Sequence, residues 1–111
     1  IVVLNNHYLG MVRQWQELFY DDRKSGVDLE GNPDFVKLAE SFGIKGFNIR
    51  RSGDVKRLVG SALNYNDGPC LINCEVEKTD NVYPMVPAGS ALEDMLVEAP
   101  TFKVEKPTGS T

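Results

Sequence analysis

Three features of this 111-residue sequence point to an α/β fold, a partial parallel sheet flanked by helices. The opening run Ile1-Val2-Val3-Leu4 is apolar at every position and mostly β-branched, as in a strand buried on both faces of a parallel sheet. Strand and helix patterns then alternate in the order β-α-loop-α-β-α-β-α. Strand, crossover helix and strand favour parallel pairing through right-handed connections.

Asn5-Asn6 ends the first strand, because Asn prefers turns. The first helix is expected over Leu9 to Tyr20, with Met11, Val12, Trp15, Leu18 and Phe19 on one face. Residues 21–32 are polar, contain Gly26 and Gly31 and show no periodicity. They read as a loop of about a dozen residues, either a plain connection or a mobile functional segment. Asn32-Pro33-Asp34 reads as a helix start, with Asn32 as cap, and Phe35, Leu38, Ala39 and Phe42 as its stripe. Gly43 ends that helix. Ile44 to Ile49 is a short strand. Ser52 is the expected cap of a third helix that buries Val55, Leu58, Val59, Ala62 and Leu63, with Lys56 and Arg57 in solvent. Asp67-Gly68-Pro69 is a turn, and Cys70 to Val76 the third strand. Val82-Tyr83-Pro84-Met85-Val86-Pro87 is apolar but carries two prolines, so it is extended and not an inner strand. Ser90 with Glu93 suggests a capping box for a last short helix holding Leu92, Met95 and Leu96. Residues 98–111 read as a loose tail behind a domain of residues 1–97.

The chain is 41% hydrophobic and 25% charged, an ordinary globular balance. A net charge of -4 argues against nucleic-acid binding, which needs a clustered basic face. No apolar run approaches the ~18 residues of a membrane span, and a secretory signal is not recognisable. Cys70 and Cys74 on one strand would lie roughly 13 Å apart, too far for a disulfide. They read as buried thiols in a reducing compartment. The apolar first strand calls for neighbours on both sides, and the chain opens in mid-strand. The expectation is a piece of a longer protein whose upstream strands complete the sheet.

In open α/β sheets ligands bind at the carboxyl ends of strands, and the following helix start can hold an anion. Asn5 to Met11 is such a place. The Asn6 side-chain carbonyl is a hard neutral oxygen suited to magnesium shared with a diphosphate. The alternative is that Asn5 and Asn6 form an ordinary strand-ending turn. Trp15, on the apolar stripe, reads by itself as a core residue.

Leu4-Asn5-Asn6 followed by Gly10-Met11-Val12-Arg13-Gln14-Trp15 resembles the cofactor-binding turn of the acetolactate synthase (acetohydroxyacid synthase) large, catalytic subunit. Asn32 to Ala39, Gly43 to Gly46, Gly68-Pro69 and Tyr83 to Pro87 extend the resemblance over most of residues 1–97. It implies the C-terminal part of a thiamine-diphosphate-binding domain. Asn6 would then give magnesium a side-chain oxygen and Tyr8 a main-chain carbonyl. Leu9, Gly10 and Met11 would lie against the cofactor. Val12 and Trp15 would wall the pocket for the second ketoacid and for inhibitors, with Ala88 and Gly89 near the same route. The implied enzyme is a transferase of branched-chain amino acid biosynthesis that decarboxylates pyruvate and condenses the two-carbon unit with a second 2-ketoacid. The family's Gly-Asp-Gly carboxylate, activating glutamate and FAD site would lie outside these residues, so this piece alone should be inactive. The family also implies a homodimer or higher assembly and admits a regulatory subunit. It implies a cytoplasmic site, or a plastid in a photosynthetic eukaryote. Family members often carry Arg-Tyr-Ser-His-Thr where this chain has Arg23-Lys24-Ser25-Gly26-Val27, which leaves the loop's role open. Two rivals remain at this point: another thiamine-diphosphate carboligase or decarboxylase, such as glyoxylate carboligase, and a non-catalytic flavodoxin-like binding module.

Overall fold

The computed structural model describes residues 1–100. Of the expected tail, residues 101–111 lie outside the described residues. The chain divides into two compact units, Ile1–Asn81 and a second beginning at Val82.

The first unit contains β1 (Val2–Asn5), α1 (Gly10–Phe19), α2 (Phe35–Ser41), β2 (Lys45–Ile49), α3 (Val55–Leu63) and β3 (Cys70–Glu75). The strands form one parallel sheet in the order β1-β3-β2, as the alternating pattern requires. Asn5 lies opposite Glu75 and Ile49 opposite Cys74, so all three strands finish at the same end. Ile49, Ala62 and Ile72 form the buried core, with Phe47, Leu58, Val59, Cys70 and Cys74 packed around them. That places α3 on one face of the sheet. On the other face Gly46 meets α2: a Cβ at Gly46 would sit 2.7 Å from Val36 Cγ1. The absent side chain lets the helix lie close to the strand.

Several local expectations give way to the structure. Among the described residues β1 is an edge strand, not one buried on both faces. Val2 and Leu4, in register with Ile72 and Cys74, share the α3 face but lie beyond its cover and are exposed. The apolar stripe of α1 is also not its buried face. Met11, Val12 and Phe19 are exposed, whereas Arg13 and Gln14 are each 1% accessible. The cap of α2 is Asp34, not Asn32: its carboxylate accepts the N–H groups of Val36 and Lys37 at 3.0 and 3.1 Å. Asp satisfies two of the helix's free donors from that position. Phe42 falls past the end of α2 and is exposed. Gly43 follows with φ 70, a left-handed conformation suited to glycine. Ser52 opens a short 3-10 turn, Ser52–Asp54, and makes no capping bond to α3. Asp54 instead pairs with Arg57 and Arg51, which hold its carboxyl below the ordinary aspartate range. Val55 and Leu63 point outward. The two thiols are free and half-buried.

In the second unit, Tyr83–Pro84 is a cis peptide, and Met85 pairs antiparallel with Leu96 through bonds of 2.9 and 2.8 Å. The last helix is a single 3-10 turn, Leu92–Asp94. Its start is Ala91, whose N–H donates to the Asp94 carboxylate at 3.4 Å; Ser90 and Glu93 form no capping box. Among the described residues no helix is long and apolar enough to cross a membrane.

Candidate cofactor-binding site

Where β1 ends, two asparagines fold the chain back on itself. Asn5 Oδ1 accepts the His7 N–H and Asn6 Oδ1 accepts the Tyr8 N–H, both at 3.2 Å. These are the side-chain turns that make Asn a strand breaker. His7 takes a left-handed backbone, φ 59, and its Nε2 lies 2.7 Å from Glu75 Oε2 at the end of β3. Residues 27–29 then run antiparallel to residues 7–9: Leu9 N–H donates to Val27 O, and Leu29 N–H to His7 O, each at 2.9 Å. Val27 is 2% accessible, so the long loop is pinned at this point. The bridge uses the carbonyls of His7 and Val27 and leaves that of Tyr8 out of its pairing.

Helix α1 begins at Gly10, beneath the Asn6 amide. A Cβ at Gly10 would lie 2.8 Å from Asn6 Nδ2, so this glycine makes the cradle in which Asn6 rests. No side chain caps the helix, and its first turn carries no acidic residue. Its free N–H groups and positive dipole end therefore suit an anion. Leu9 and Met11 flank the opening and are about half exposed.

Along α1, Met11, Val12, Trp15, Gln16, Tyr20 and Arg23 line a groove of about 590 Å³. Trp15 is half-buried and meets Phe19 edge to face, 5.4 Å between ring centres. The structure thus brings Asn6, Tyr8, Leu9, Gly10 and Met11 together in one turn and puts Val12 and Trp15 on the adjoining groove. Ala88 and Gly89 belong to the second unit, where both are exposed.

Sequence reasoning passed over the polar contacts that hold this turn. Arg13 donates to Asn81 Oδ1 and Glu17 Oε2 at 2.5 Å, and to Thr79 O and Asp80 O at 3.1 Å. Glu75 also accepts from Asn73 Nδ2 at 3.1 Å. The Tyr8 ring has the Arg13 guanidinium at 5.8 Å and the Lys78 ammonium at 4.9 Å from its centre. Glu77 accepts the Thr79 N–H and hydroxyl and the Lys78 N–H, which hold its carboxyl below the ordinary range.

A family model described as thiamine pyrophosphate enzyme, C-terminal TPP binding domain, matches residues 1–74. The chain belongs to that family. Among its relatives, acetolactate synthase isozyme 2 large subunit of Escherichia coli K12 is 46% identical over 96 residues, covering 86% of this chain and 17% of the relative. The acetolactate synthase large subunit of Pyropia yezoensis is 44% identical over 97 residues, 86% of this chain and 16% of that one. The Haemophilus influenzae large subunit is 37% identical over 100 residues, 90% and 18% respectively. The likeness to large subunits of acetolactate synthase thus runs through most of the chain, which spans about a sixth of the length of these relatives. The thiamine-diphosphate family accords with a turn that offers uncapped amides to an anion.

The candidate donors at this turn are two neutral oxygens, Asn6 Oδ1 and the Tyr8 carbonyl. An amide oxygen has two lone pairs, and the Tyr8 N–H occupies one. Among the described residues no three His, Cys, Asp or Glu gather as a metal cluster. Magnesium takes a few protein oxygens and completes its octahedron with phosphates and water. This donor set fits a cation shared with a diphosphate and does not fit one held by these residues alone.

Proposed function

We propose that this chain is the diphosphate-seating part of a thiamine-diphosphate- and magnesium-dependent acetolactate synthase. The observation that carries this reading is the Asn6 amide, folded over the start of α1 at the carboxyl end of β1 with Gly10 cleared beneath it. Asn6 Oδ1 and the Tyr8 carbonyl would hold the cation. The amides of α1's first turn would receive the diphosphate charge, and Gly10 lets the backbone approach it. When bound, the cofactor supplies the carbanion chemistry that decarboxylates pyruvate and transfers the two-carbon unit; the protein binds and orients it. Val12 and Trp15 give the adjoining groove an apolar wall suited to the short side chain of a second 2-ketoacid. FAD, a homodimeric assembly, a regulatory subunit and a cytoplasmic or plastid location are part of the same proposal, supported by the family likeness alone.

The complete enzyme carrying this segment is the object to test, assayed with pyruvate, 2-ketobutyrate and glyoxylate at graded magnesium. Carboligation of pyruvate, with a magnesium requirement raised at least about tenfold by Asn6→Ala, is the expected result. Turnover of glyoxylate alone would favour a different carboligase, and an unchanged metal requirement would remove Asn6 from the site.

A further inference from the structure

Asn6 makes no hydrogen bond to β2 or β3; among the described contacts its amide touches Tyr8 N and the space above Gly10. Its aim is therefore set by its neighbours, and both neighbours are held from one place. His7 is bound through its ring to Glu75. Its left-handed backbone is one a residue with a side chain keeps only when its surroundings hold it there. Glu75 is itself fixed, being in register with Asn5 in the central strand and bonded to Asn73, which is 5% accessible. The Tyr8 ring is near both the Arg13 guanidinium and the Lys78 ammonium. Arg13 in turn grips the chain after β3 at Thr79, Asp80 and Asn81, and Asn81 Nδ2 closes the ring on Glu17 at 3.0 Å.

Resting on the cation site described above, we propose that Glu75 and Arg13 are positioning residues. The stretch from Glu75 to Asn81 grips His7 and Tyr8 and so fixes where the two cation-binding oxygens point. None of these contacts belongs to the apolar core of Ile49, Ala62 and Ile72. Loosening them turns the metal ligands without unpacking the sheet. Partners that orient metal ligands matter for affinity nearly as much as the ligands do.

The test is calorimetric binding of thiamine diphosphate to the cofactor-free complete enzyme at graded magnesium, repeated with manganese by electron paramagnetic resonance. Glu75→Ala should weaken metal-dependent binding about tenfold. Glu75→Gln keeps the oxygen and length of the side chain and should restore binding to within about threefold of the parent. Arg13→Lys keeps the charge but loses the fork, and should weaken binding in the same sense. Should Arg13→Lys fail to fold, the Glu75 pair decides alone. Asn6→Ala is run beside them. If Asn6→Ala weakens binding and Glu75→Ala does not, the positioning role is overturned while the cation site stands. A loss in Glu75→Ala that Glu75→Gln leaves unrestored overturns it as well. If Asn6→Ala changes nothing, the cation site falls and the positioning role with it.

Discussion

One methyl group separates Gly10 from a residue that would displace Asn6. A Cβ there would stand 2.8 Å from Asn6 Nδ2, well inside van der Waals contact. Alanine is also the better helix former by up to about 1 kcal/mol, so Gly10→Ala should not weaken α1 itself. The expected outcome is a split: the complete enzyme keeps or gains melting temperature but loses metal-dependent cofactor affinity, by about tenfold. Calorimetry beside thermal unfolding would show it, and equal affinity in both proteins would mean that Asn6 tolerates being moved. Asn6 and Gly10 could be read from the sequence because a strand-ending Asn pair and a helix-opening Gly are neighbours in the chain. Arg13 could not, since it meets Thr79 66 positions away. The His7–Glu75 contact spans 68 positions, with no local pattern to announce it.

Elements differ in the same way. Periodicity located α1 within a residue at each end, since apolar residues at helical spacing specify a helix. It could not say which face the rest of the unit would cover. The apolar stripe opens onto the groove, while the buried face is polar because the chain returning from β3 meets Arg13 with three acceptors, and Glu17 on α1 supplies a fourth. Apolar patterning marks a surface that wants cover, whereas burial also follows wherever hydrogen bonds are satisfied. At α2 the helix was legible and its cap misplaced by two residues, because Asn32 and Asp34 are equally good caps and only backbone geometry chooses. What holds α2 to β2 was not legible either: the strand glycine at 46 has no signal beyond weak strand propensity. Gly46→Ala places a Cβ 2.7 Å from Val36 Cγ1 and 3.1 Å from its Cα, so strand and helix must part. Destabilisation of about 1–3 kcal/mol is expected, read as a lower midpoint in urea unfolding of the complete enzyme. Pairing Gly46→Ala with Val36→Ala should recover part of the loss, since the clash involves that side chain.

Across the whole molecule, the parallel sheet and its helices on both faces were legible because strand and helix periods alternate so regularly. The edge position of β1 was not, because an apolar strand reads alike whether or not its neighbours are present. Ile1, Val2 and Leu4 are 59–74% exposed, an apolar strand edge of the kind that proteins ordinarily cover. The proposed cation site is short of charge in the same way: its two oxygens are neutral, and among the described residues no three His, Cys, Asp or Glu gather to balance a divalent charge. These 111 residues by themselves should therefore bind thiamine diphosphate with magnesium only weakly and should not turn over pyruvate. Titration calorimetry of the isolated chain gives the answer directly. A dissociation constant near 1 μM, about −8.2 kcal/mol, would mean that Asn6, Tyr8 and the amides of α1 suffice without a carboxylate. Weak binding by the chain and tight binding by the complete enzyme would instead place the missing charge on residues beyond this segment. In that case adding excess magnesium to the isolated chain should tighten cofactor binding only slightly, because the defect is in the donor set and not in cation supply.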